Sequence, residues 1–325
     1  MSFKFNQLLT LLSILVIAKS NNNSSQQANI QRAFYPQLQK EGDNADVFRI
    51  VGSYELKRLD PFLMLDYFKV RLPSGFPDHP HRGFETVTYM LSGQMHHEDF
   101  RGNKGILEKG DVQWMTAGKG IVHSEMPGSY DEDSIGFQLW VNLKSSDKMI
   151  EPKYQEYKSN KFPLFEKDGL KVKVISGSYE NIDGIINTSI SVKFLDIQLE
   201  EASCLFKEYL QPNHNCLIFI YSGKIKINDK IYEQNAAIIF ESNYEERYIE
   251  ISSQEQLSKF VLLSGKPINE QVFNYGPFVL DSQVNLRQAF EDYQFSKNGF
   301  EGASNWSSEI KDFPQTKKKL GISDL

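Results

Sequence analysis

The chain has 325 residues, 40% of them apolar, and a formal net charge of −6. That length allows two domains of ordinary size with a substantial core. The acidic balance, without a lysine–arginine stripe, argues against direct DNA or RNA recognition.

At the N-terminus, Lys4 precedes an apolar run from Leu8 to Ala18, and Ala18-Lys19-Ser20 places small residues two apart. This is the layout of a secretory signal over residues 1–20. The run is too short for an ordinary transmembrane helix. A fortuitous apolar leader or an interfacial anchor is the competing reading. Export to a secreted or periplasmic location is the expectation, with no transmembrane segment in the mature chain. Residues 21–45, rich in Asn, Gln and Ser, read as a disordered spacer.

Residues 46–160 form the first predicted domain. FRIVGSYEL, FLMLDYFKV, FETVTYML, GDVQWMT, IVHSEM and SIGFQLWVNL read as short strands separated by Gly, Asn and Lys turns. That spacing predicts an antiparallel barrel or double-sheet jelly roll. Two clusters within it carry chemistry. In a strand, residues i and i+2 share a face. His79-Pro80-His81 and His123-Ser124-Glu125 can therefore each present two ligand groups to one side. Together they would surround one point with three imidazoles and a carboxylate, a set suited to Fe(II), Mn(II), Ni(II), Zn(II) or Cu(II). The competing reading is unrelated surface histidines, since Pro80 weakens a strand ladder.

Glu85 follows at even spacing and reads either as an acceptor behind the metal or as a rim partner of Arg82 or Lys119. Adjacent His96 and His97 read as a polar turn beside the barrel. Phe84, Trp114, Met115 and Trp140 suit either a pocket wall or the core. Residues 142–168 are polar, with prolines, and read as an extended connector.

Residues 161–300 form a second predicted domain of the same strand-and-turn character. Tyr89–Gly93 and Phe219–Gly223 stand at matching places in the two halves, which favours duplication. Its lone His214 gives no basis for a second metal. Cys204 and Cys216 read as buried thiols, with a cross-strand disulfide left open. From Ser282, a stretch with Val284, Leu286, Phe290, Tyr293 and Phe295 at helical spacing predicts a short helix capped by Asp281 or Ser282. Residues 301–325 read as a tail, anchored by Trp306 and carrying the basic run Lys317–Lys319.

HPHRGFETVTYMLSGQMHHEDFRGNKG, GDVQWMTAGKGIVHSEMP, LDPFLMLDYF and GKPINEQVFNYGPFV resemble the pirin family of bicupins. The resemblance spans nearly all of residues 47–300. It implies an all-β fold of two tandem cupin barrels with one metal, usually iron, in the N-terminal barrel. The family's ligands fall on His79, His81, His123 and Glu125. The resemblance also implies one of two roles. The first is a quercetin 2,3-dioxygenase-like enzyme that cleaves a flavonol with O2; there Glu125, once detached from the metal, could act as catalytic base. The second is a redox-responsive regulator, cytoplasmic or nuclear, that works through a protein partner. A monomer is expected in either case.

Overall fold

The computed structural model describes residues 26–202 and 204–312. The predicted leader, the first residues of the spacer and the Lys317–Lys319 run lie outside them. No helix among the described residues is long and apolar enough to cross a membrane.

The first half begins with β1 (Gln26–Gln27), β2 (Ile30–Phe34), β3 (Leu38–Glu41), β4 (Ala45–Val51), β5 (Phe62–Val70) and β6 (Phe76–His81). It continues with β7 (Phe84–Ser92), β8 (Met95–Asp99), β9 (Lys104–Leu107), β10 (Val112–Thr116), β11 (Ile121–Pro127), β12 (Ser134–Asn142) and β13 (Lys153–Tyr157). A seven-stranded sheet ordered β13-β10-β7-β12-β5-β4-β3 faces a four-stranded sheet ordered β6-β11-β8-β9. These are the two layers of one jelly roll.

The second half contains β14 (Leu164–Lys167), β15 (Leu170–Ser176), β16 (Ser178–Tyr179), β17 (Ile182–Asp183), β18 (Val192–Leu199), β19 (Leu205–Leu210) and β20 (Asn215–Ser222). Next come β21 (Lys224–Ile227), β22 (Lys230–Glu233), β23 (Ala237–Phe240), β24 (Arg247–Ser253) and β25 (Ser258–Gly265). Its large sheet is ordered β14-β15-β18-β25-β20-β23-β2, and its smaller one carries β19, β24, β21 and β22, with β1 on β24. The orders superimpose: β7 corresponds to β20, β12 to β25 and β11 to β24. The matching Ser-Gly pairs end β7 and β20, where Gly93 and Gly223 adopt φ of +70° and +80°. A Cβ at Gly93 would stand 2.7 Å from the Asp133 carbonyl oxygen, so glycine is required there. The all-β reading with two tandem cupin barrels therefore holds.

The chain ends depart from the predicted domains. The expected disordered spacer is instead ordered from Gln26 onward. β1 pairs with β24 and β2 with β23 of barrel 2, and β3 then pairs with β4 of barrel 1. Ala28 is buried in barrel 2, with Ile30 packed against its core, and Phe34 packs against the apolar cluster between the barrels. Polar composition hid three well-placed apolar side chains. The connector also contributes more than a bridge, because β13 completes the large sheet of barrel 1 and β14 that of barrel 2.

After barrel 2 the chain returns to barrel 1 through β26 (Phe273–Tyr275), β27 (Phe278–Leu280) and α1 (Gln283–Gln294). Ser282 caps α1, its hydroxyl accepting from the Asn285 N–H at 3.1 Å. The buried face matches the predicted apolar residues only in part. Ala289 and Asp292 are buried and Leu286 and Tyr293 half-buried, whereas Val284 is 74% exposed and Phe295 64% exposed. The tail continues over the small sheet of barrel 1, with Trp306 packed among Phe278, Phe300 and Ala303.

One apolar cluster joins the barrels: Val87, Trp114 and Phe137 of barrel 1 pack with Phe194, Phe219 and Leu263 of barrel 2. Cys204 and Cys216 are free, buried thiols.

Candidate metal centre

β6 and β11 run antiparallel in the small sheet of barrel 1, with His123 opposite His79 and Ile121 opposite His81. The three imidazoles therefore converge on the barrel interior. The Nε2 atoms of His123 and His79 are 3.0 Å apart. Ring centroids lie 4.7 Å apart for His79–His81, 4.4 Å for His79–His123 and 5.0 Å for His81–His123. One ligand atom from each of the three falls within 4.8 Å of the others.

The protonation states suit a metal. The Pro77 carbonyl lies 2.8 Å from Nδ1 of His79 and can only accept, which leaves Nε2 with its lone pair turned inward. Burial pushes His81 and His123 well below the ordinary imidazole range, and neighbouring imidazoles push them further. Burial also lowers His79, against the opposing pull of the Pro77 carbonyl and Glu125. The buried Nδ1 of His81 has no hydrogen-bond partner, and the rings of Phe84 and Trp140 stand edge-on at 5.2 and 5.3 Å. Three neutral, converging imidazoles form a donor set that fits a divalent transition ion.

Glu125 is placed differently from its expected partners. Its Oε1 accepts from Thr88 Oγ1 at 2.7 Å and its Oε2 from Gln138 Nε2 at 2.9 Å. The β6–β11 register slips between His123 and Glu125, with the extra residue on β6, while β11 keeps an unbroken register with β8 through Glu125. Glu125 therefore shares the cavity with the histidines but stands outside their tight group. Each oxygen keeps a second lone pair free for a ligand.

A cavity of about 710 Å³ opens onto this cluster. His79, His81, Glu125 and Gln138 form its chemical end, and Phe76 and Trp140 its apolar wall. Of the four residues expected to be pocket or core, only Trp140 lines the cavity. Phe84, Trp114 and Met115 are fully buried in the core.

Known proteins fit this geometry. Residues 44–141 match the family model described as Pirin, and residues 194–299 match the one described as Pirin C-terminal cupin domain. Human Pirin is 44% identical over 282 residues, covering 84% of this chain and 94% of its own length. The chain belongs to the pirin family. Pirin-like protein 2 of Arabidopsis thaliana is 42% identical, covering 90% of this chain and 93% of the relative. Among solved structures, a quercetin 2,3-dioxygenase from Acinetobacter baumannii aligns with a TM-score of 0.76 at 31% identity, covering 84% of this chain and 99% of the other. The bacterial pirin YhhW of Escherichia coli, solved with nickel(II), shares the fold at a TM-score of 0.58 and 20% identity, covering 73% of this chain and 100% of the other.

The ligand strands of this family member are braced from outside. Arg82, next to His81, is 1% exposed. It donates to the Lys119 carbonyl at 2.6 Å, Asp292 Oδ2 at 2.8 Å and the Asn298 carbonyl at 2.7 Å, and stacks 4.7 Å above Phe300. One guanidinium thus ties the end of β6, the turn before β11 and α1 together. Asp78, next to His79, accepts from Ser308 Oγ at 2.5 Å and pairs with Lys311 at 3.1 Å. Lys148, 2% exposed, donates to the Gly83 carbonyl at 2.9 Å, Asn142 Oδ1 at 2.7 Å and the Val279 carbonyl at 3.2 Å.

Two sequence expectations fail here. Glu85 accepts from Thr116 Oγ1 at 2.8 Å and Ser189 Oγ at 3.4 Å, beside barrel 2, and touches neither the histidines, Arg82 nor Lys119. Gly83, at φ +88°, ends β6, so strand parity does not carry from His81 to Glu85. His96 and His97 lie in β8 of the small sheet rather than in a turn, and His97 Nε2 sits 2.9 Å from Glu156. Thr88, Gln138, Asp292 and Lys148 were missed. Gln138, a polar residue in the apolar run GFQLWV, carried the one usable signal.

In barrel 2 the positions matching β6 and β11 lie on β19 and β24. Their inward residues are Phe206, Leu210, Ile249 and Ile251, all in its apolar core, plus Glu208 paired with Lys193.

Proposed function

We propose that this pirin-family chain is an iron-dependent dioxygenase that opens the central ring of a flavonol or similar phenol. Flavonol plus O2 would give a depside and carbon monoxide, with both oxygen atoms entering the depside. The observation that carries this reading is the cavity: an accessible volume suited to a small aromatic ligand ends directly on His79, His81 and Glu125. Similarity to the Acinetobacter quercetin 2,3-dioxygenase supports it.

His79, His81 and His123 would hold the iron; Mn, Ni, Zn or Cu would suit the same imidazoles. Bound iron would supply Lewis acidity and a redox route to O2. The remaining work belongs to the chain. Phe76 and Trp140 give a planar substrate an apolar wall and exclude water from one side. Glu125, held by Thr88 and Gln138, is placed to accept the proton of the phenolic hydroxyl. Gln138 then keeps the carboxyl aimed at the cavity in either protonation state, because its amide can donate or accept.

The test is anaerobic iron loading followed by quercetin and O2, with carbon monoxide as readout. Iron-dependent release is expected, with loss of bound iron in His81→Ala and about 100-fold slower turnover in Glu125→Gln at full iron occupancy. Full occupancy without carbon monoxide, or an unimpaired Glu125→Gln, would overturn the assignment.

A further inference from the structure

A second cavity, of about 390 Å³, lies in the cleft between the barrels and shares no lining residue with the metal cavity. Its chemistry follows from strand alternation. The face of the barrel 2 sheet that meets barrel 1 is apolar at one end, with Phe194, Phe219 and Val261. At the other end the same alternation places Lys171 and Lys173 on β15, Asp196 and Gln198 on β18, and Lys259 on β25. Barrel 1 answers with Lys109 and Ser159 across the cleft. In a chain of net charge −6, four ammonium groups therefore line one small cavity.

The opposing charge within the cavity is outnumbered. Among the described residues Asp196 is the only carboxylate lining the cavity; it accepts from Tyr89 Oη at 2.5 Å and Tyr221 Oη at 2.6 Å and attracts Lys173 and Lys259. Lys171 is held at the rim by Glu200 at 2.8 Å and Glu166 at 3.4 Å. Lys173 donates to two neutral oxygens, the Gly110 carbonyl and Ser159 Oγ, both at 3.0 Å. Lys109 and Lys259 form no ion pair among the described residues. Lys173 lies 5.5 Å from the Tyr89 ring centroid, and Leu164 adds an apolar wall. Burial pushes the Lys173 ammonium down, a strain that an anion would relieve.

We infer that the inter-barrel cleft binds a small phosphate-bearing molecule, with Lys109, Lys173 and Lys259 around the phosphate and Leu164 and Tyr89 against its apolar body. Compact ammonium groups suit phosphate as point charges. Such a ligand would bridge both barrels.

Calorimetric titration of the full chain at low ionic strength, with inorganic phosphate and with phenyl phosphate, tests the site. Phenyl phosphate is expected to bind with a Kd of roughly 1 mM or below. The Lys109→Gln/Lys259→Gln variant, which breaks no hydrogen bond or ion pair among the described residues, should weaken binding about tenfold, or roughly 1.4 kcal/mol. The Lys226→Gln/Lys230→Gln variant removes equal charge from the other sheet of barrel 2 and should change little. Tighter phenyl phosphate supports a phosphorylated organic ligand, and equal affinity supports free phosphate at the same site. No binding of either probe overturns the inference. So does binding that survives Lys109→Gln/Lys259→Gln, or equal weakening in both double variants.

Discussion

Arg82 shows how a residue that faces away from the histidines can still govern them. Its guanidinium is satisfied on three sides by groups that sequence separates widely, and its carboxylate partner is as buried as it is, each side chain 2% exposed. Asp292→Asn leaves the shape intact but removes the charge opposing a buried cation. A stability loss of about 3–5 kcal/mol is expected from breaking such a pair. Because Arg82 follows His81 directly, metal affinity should also fall by about 10- to 100-fold, the usual effect of losing support behind a ligand. Competition against a chelator measures it; unchanged affinity in folded Asp292→Asn would remove Arg82 from any positioning role. The histidines themselves were legible because HxH and HxE spacing survives any strand pairing. Asp292 was not legible, because its partner lies on another element and no local pattern marks it.

Among the elements, the junction of β6, β12 and β27 depends on one buried amine. Burial lowers the Lys148 pKa from 10.5 to about 8, while its three acceptors are neutral oxygens. The sign follows from linkage: the folded state disfavours the charged form, so the cost is full below pH about 8 and is relieved as pH rises to 10.5. Relative to Lys148→Met, the native chain should gain stability on the order of 3 kcal/mol across that window. Urea unfolding of both proteins along the pH series tests this, and a flat difference would show that Lys148 titrates normally. The strands were readable from alternation and glycine turns. The helix was readable as a helix, and its buried face in part. α1 docks through Leu286, Ala289, Phe290, Asp292 and Tyr293, so apolar spacing marked most of the face, but Val284 and Phe295 point to solvent and the buried Asp292 carried no apolar signal.

For the whole molecule, the first and last described segments are sewn onto opposite barrels. Each large sheet needs one edge strand from beyond its own repeat: β13 serves barrel 1, and β2, from the N-terminal segment, serves barrel 2. Deleting residues 1–34 should strip β1 and β2 from β24 and β23 and expose two strand edges. The lost packing of Ala28, Ile30 and Phe34 is worth on the order of 3 kcal/mol. Bared edges should also promote association. Urea unfolding and light scattering read both effects, and a monomer of native stability would refute the edge-strand role. Duplication was legible from the paired Ser-Gly endings, but this exchange was not, because polar composition disguised the strands that carry it.

The braces of the histidine strands also set an order in time. Asp292, Asn298, Ser308 and Lys311 leave the ribosome after nearly all of the sheet they secure. A nascent chain can pair β6 with β11 long before Arg82 and Asp78 find their partners. During that interval the three imidazoles rest on an unclamped sheet. Stable capture of a metal therefore belongs to the finished polypeptide, and a ribosome-bound chain halted before α1 should surrender its ion readily to a chelator that the released protein resists.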